Sequence, residues 1–101
     1  MKTQDITEKL AIATKQYVLY LSHSAGNALD LSKAAPKLSS DDLTDLADCC
    51  IWLTFPTYGE ARSFFESIVG DDGPTKTNPY DGPCRVYALL AGPDGLITEN
   101  T

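Results

Sequence analysis

Histidine occurs once in the 101 residues, at His23, so an imidazole general base would have to be this residue, with Cys50, Cys84 or Ser24 as nucleophile. No spacing joins His23 to any of them, and the chain lacks the phosphate-loop, dinucleotide-binding, zinc-protease and serine-hydrolase signatures. Catalysis is therefore not expected. Clustered basic residues are also missing: Lys2, Lys9, Lys15, Lys33, Lys37, Arg62, Lys76 and Arg85 are scattered singly. Neutralising phosphates requires grouped cations, which argues against direct nucleic-acid binding. No apolar run is long enough for a signal core or a membrane span, so the expected protein is soluble and cytoplasmic, with no membrane partner.

Cysteine is sparse as well. Three thiols, with Cys49 and Cys50 adjacent and Cys84 distant, cannot close a disulfide framework within one chain. Together with His23 they contain the atoms of a Cys3His zinc site, but adjacent cysteines lack the spacing that turns two thiolates towards one ion. Asp71, Asp72 and Asp81 lack the regular spacing of a calcium loop and read as turn residues. The expectation is reduced thiols, no metal and no cofactor.

What is present is apolar material and negative charge. Hydrophobic residues make up 43%, and 14 Asp and Glu outnumber 8 Lys and Arg for a formal charge of -6. That is enough apolar surface for one core, and the whole chain, 1–101, reads as a single domain. Excess negative charge keeps a protein apart from polyanions and speeds its encounter with basic surfaces.

Periodicity predicts an N-terminal helix through Ile6, Leu10, Ala13, Tyr17 and Tyr20 or Leu21, started by the capping-box-like pair Asp5 and Glu8. Its phase can be continued through Ala25, Ala28 and Leu31 as far as Pro36, with a break favoured at Gly26. Ser39, Ser40, Asp41 and Asp42 predict the start of a short acidic helix, with Leu43, Leu46, Ala47 and Cys50 inward and Asp41, Asp45 and Asp48 outward. Cys50 to Phe55 reads as a buried strand, with prolongation of the helix as the alternative. Thr57 and Glu60 form a capping box for a helix from Tyr58 to Val69, ended at Gly70. Asp71 to Pro83 reads as an exposed loop. Cys84 to Leu90, the turn Gly92 to Gly95 and Leu96 to Thr98 read as a hairpin.

The predicted fold is α+β: N-terminal helices, then strand, helix and β-hairpin forming a small sheet covered by helices. The alternative is a mostly helical domain with a C-terminal hairpin. The predicted core is Ile6, Leu10, Tyr17, Leu43, Leu46, Ile51, Leu53, Phe64, Ile68, Val86 and Leu89.

Two features remain for recognition. The outward aspartates Asp41, Asp45 and Asp48 can steer a basic partner, and Asn78, Pro79, Tyr80 and Asp81 place an aromatic anchor in a stiff polar loop. Asn78, Tyr80 and Asp81 therefore join the three helical aspartates as candidate partner-binding residues. The expected function is a small acidic protein-binding module, an inhibitor or adaptor of a larger protein with a positively charged surface, such as a nucleic-acid-binding complex. In general character the chain resembles the short acidic anti-defence proteins of phages and mobile elements, the anti-CRISPR proteins among them. Two alternatives stand beside this: an oligomeric small-molecule binder or sponge, with the N-terminal helix as the contact between copies, and a minor Cys-dependent enzyme.

Overall fold

The computed structural model describes residues 3–23, 31–32, 37–69 and 86–100. They include three helices, α1 (Thr3–Thr14), α2 (Ser40–Asp48) and α3 (Tyr58–Val69). They also include four strands, β1 (Tyr17–His23), β2 (Cys50–Phe55), β3 (Val86–Gly92) and β4 (Gly95–Asn100). The strands form one antiparallel sheet in the order β2-β1-β3-β4. The fold is a small α+β fold, as the sequence predicts, and β2 is a strand rather than an extension of α2.

The predicted N-terminal helix is too long. It stops at Thr14, and Tyr17, Tyr20 and Leu21 belong to β1, an inner strand hydrogen-bonded on both sides. The reversal occurs at Lys15, whose φ of 57° places it in the left-handed region that commonly ends helices. A strand with neighbours on both sides and helices above and below buries side chains in both directions. Its sequence therefore shows an apolar run and no alternation.

Directly paired residues share a sheet face. One face carries Leu19 and Leu21 of β1, Ile51 and Leu53 of β2, and Val86, Ala88 and Leu90 of β3. Helices α2 and α3 cover it. Ala61, Phe65 and Ile68 of α3, spaced by four and three, are all fully buried there, and Leu46 of α2 joins them. The buried phenylalanine is thus Phe65. Phe64 lies about one residue round the helix, half-buried at the edge of the core with its ring 5.5 Å from Phe55. The caps form as expected: Ser39 Oγ accepts from the Asp42 N–H at 3.2 Å, and Thr57 Oγ1 from the Glu60 N–H at 3.2 Å.

The opposite face carries Val18, Tyr20 and Ser22, Cys50, Trp52 and Thr54, and Tyr87, Leu89 and Ala91. Only α1 packs on it among the described helices, through Ala11 against Val18 and Ala91. The inward residues of α1 are Thr7 and Ala11, one position out of phase with the predicted stripe. Leu10 is 37% exposed, Ile6 is half-buried and Ala13 is exposed. The small Ala11 lets the helix backbone approach the sheet closely, where Leu10 would hold it away. Two polar contacts fix α1 across the strands. The Trp52 indole N–H donates to Thr7 Oγ1 at 3.1 Å, and that hydroxyl donates to the Thr3 carbonyl at 2.8 Å. At the other side the Leu96 N–H donates to Glu8 Oε1 at 2.9 Å, so Glu8 ties the helix to β4 instead of capping it.

Asp71 to Pro83 and Cys84 lie outside the described residues. The hairpin is present, with β3 starting at Val86 and both strands running further than predicted, to Gly92 and Asn100. Gly95, at φ +118°, provides the conformation its turn requires.

Candidate protein-interaction surface

Helix α2 begins at the Ser39 cap and carries Asp41 and Asp42 in its first turn, where the positive helix end favours carboxylates. Leu46 is buried, with Leu43 and Ala47 packed beside it, and this fixes the rotation of the helix. Asp41, Asp45 and Asp48 consequently face solvent, and none has an ion-pair partner among the described residues. The three predicted helical aspartates are thus brought together on one exposed face. Asn78, Tyr80 and Asp81, the other half of the predicted surface, lie outside the described residues.

The chain passes from α2 into β2 through one residue, Cys49, so the acidic helix adjoins the outer edge of the sheet. β2 reads Cys-Ile-Trp-Leu-Thr-Phe, with no charge and no proline, and it pairs with β1 through six consecutive positions without a bulge. Trp52 stands at its middle, 38% exposed, with its ring 5.1 Å from that of Tyr20. Thr54, on the same face, is exposed.

Cys50 does not meet His23, and Cys84 lies outside the described residues. Cys50 points to the α1 side of the sheet. The imidazole lies on the α2 side, where its Nε2 is 3.2 Å from the Ala47 carbonyl oxygen. The sheet separates them. Burial pushes the Cys50 thiol pKa up, and the hydrogen bond and charge of Cys49 add to this. A hydrogen bond with Tyr20 acts in the opposite direction. At neutral pH Cys50 therefore holds less thiolate than an ordinary cysteine. Among the described residues no group of three or more His, Cys, Asp or Glu is placed to hold a metal ion.

No family model, curated protein or solved structure matches the chain.

A concave feature lies on the α1 side, past the helix N-terminus. It is a cleft of about 390 Å³ lined by Thr3, Tyr20, Ser22, Tyr87, Ala88 and Leu89. Neither this cleft nor the position of Trp52 is visible in the sequence. Both depend on β1 being the strand that brings β2 and β3 together. The one available signal for β2 is its six uncharged residues directly after an acidic helix. No helix among the described residues is long and apolar enough to cross a membrane.

Proposed function

We propose that this chain is a small acidic protein-binding module without catalytic activity, acting as an inhibitor or adaptor of a larger protein with a positively charged surface. The observation that carries this reading is the exposed face of Asp41, Asp45 and Asp48 on α2, beside an uncharged edge strand with a half-exposed tryptophan. Unpaired carboxylates on a chain of formal charge -6 steer a basic partner over a range set by the salt concentration. The adjoining neutral strand offers surface that can be desolvated at little cost. In type this matches the phage anti-defence proteins, whose partners include nucleic-acid-binding complexes. Such complexes carry the basic grooves that an acidic surface fits.

The test is kinetic. A partner is captured from host lysate, and association is then measured at two salt concentrations. Replacing Asp41, Asp45 and Asp48 together by Asn should slow association and flatten its salt dependence while changing dissociation less. Association of the triple variant at the native rate in low salt would defeat the reading. The native melting temperature should be retained, because all three side chains are exposed.

A second reading, a small-molecule binder, is favoured by the cleft between Tyr20 and Tyr87. Its volume is in the range of ligand sites, and it offers two phenol groups beside apolar walls. A ligand-dependent rise in melting temperature that Leu89→Trp abolishes would support it.

A further inference from the structure

We infer that β2 is a strand-addition site, at which an extended, Lys- or Arg-bearing segment of the partner pairs as a fifth strand of the sheet. This rests on the reading above that the partner is basic, and it supplies the mode of attachment.

A sheet edge presents unpaired N–H and C=O groups at every second residue. Natural proteins blunt such edges with charges, prolines, bulges or covering segments. The two edges of this sheet differ in this respect. β4 has a register shift opposite Leu90 and Ala91, begins at the positive-φ Gly95 and carries Glu99. Among the described residues β2 has none of these protections along its six positions. Its first proline, Pro56, comes after the strand ends. Among the described residues no turn or loop backbone group bonds to it. An unbroken, uncharged edge with an exposed aromatic at its centre is built like the edges that accept an extended peptide through main-chain hydrogen bonds.

Charge decides between occupants. Two copies pairing β2 to β2 in antiparallel fashion would extend one continuous sheet, with the same face up in both. Both α2 helices would then lie over the same face of the joined sheet, in chains that each carry -6. Like charges at such a seam oppose self-association. A basic segment meets the opposite situation. Alternate side chains of an added strand point to opposite faces. Those on the α2 side continue the apolar face of Ile51 and Leu53, and those on the other side lie beside Trp52 and Thr54. The fitting sequence alternates apolar residues on the side of Ile51 and Leu53 with Lys or Arg on the exposed side, where a cation next to the indole gains a further attraction.

The probe is a synthetic eight-residue peptide alternating Lys and Val, with a Glu and Val counterpart, added to the isotopically labelled chain and followed by NMR and amide exchange. Lysine peptide binding should slow exchange of the outward-facing amides of β2 by roughly tenfold or more and leave the β4 edge unchanged, while the glutamate peptide should not bind. Thr54→Lys places a charge on the edge at an exposed position and should weaken lysine-peptide binding by roughly tenfold with an unaltered melting temperature. If the lysine peptide binds with shifts confined to α2 and β2 amides unprotected, strand addition is wrong while the acidic protein-binding reading stands. Absence of lysine-peptide binding at about 1 mM also overturns strand addition. The broader reading falls separately, only through the insensitivity of partner association to the triple aspartate variant.

Discussion

The two faces of the sheet are packed to different depths. Under α2 and α3, large side chains from four elements meet, with Leu19, Leu21, Leu46, Phe65, Ile68, Val86 and Leu90 all fully buried. Under α1 the fully buried cluster is Ala11, Val18 and Ala91, small residues that set a helix close to the sheet, and polar contacts at Thr7 and Glu8 do much of the fastening. A thick apolar layer resists water by volume, whereas a thin one depends on fit. Stability should therefore reside on the first face. The second keeps open ground around Trp52, Tyr20 and the cleft.

The largest test of that contrast is Phe65→Ala. Removing a fully enclosed ring from the thick layer should cost about 3–5 kcal/mol, read by denaturant unfolding. An effect below about 1 kcal/mol would mean the layer collapses around the gap, and the contrast would fail. The next test is on the thin side. Ala11→Leu adds volume where the helix touches Val18 and Ala91, and overpacking should cost about 1–3 kcal/mol. A stabilised Ala11→Leu would show that α1 rides loosely and that the fit is not close.

The smallest effect is chemical. Cys49 is exposed and Cys50 half-buried on the thin side, with its thiol pKa raised first by burial. Alkylation at neutral pH, localised by fragmentation mass spectrometry, should modify Cys49 several-fold faster. The difference should narrow as pH rises through the raised Cys50 value. The sign follows from linkage: the fold favours the protonated Cys50 thiol, a contribution present below the unfolded pKa and lost as pH climbs through the folded one. Equal rates at neutral pH would show that this face is open as far as Cys50.

Local signals were legible and long-range ones were not. The caps Ser39 and Thr57, the stop before Pro56 and the turn at Gly95 are short-range chemistry, and each is where the sequence places it. β1 was missed because Tyr17, Tyr20 and Leu21 continue the three-and-four spacing of Ile6, Leu10 and Ala13, and because the break at Lys15 uses a residue that does not advertise a left-handed turn. The inward face of α1 was missed because its determinants, Thr7 and Ala11, are weakly apolar and owe their burial to Trp52, Val18 and Ala91 on distant strands. For the interaction surface, the aspartates of α2 could be read from helical spacing. That β2 is an edge could not, since a strand's neighbours are a property of the whole topology.

The placement of β1 between β2 and β3 also has a consequence in time. His23 pairs with Val86 and Val18 with Ala91, so the strand at the middle of the sheet is made early and receives its second partner only when nearly all the chain exists. At ordinary synthesis rates that interval lasts several seconds, far longer than hairpin formation takes. During it β1 can pair with β2 and with nothing else in the sheet. A nascent chain in which β1 has its β2 partner but an unpaired edge on the β3 side is the species that a chaperone, or another copy, would meet first. Slow translation between Val69 and Val86 should accordingly lower the yield of native protein more than an equal delay before Tyr17.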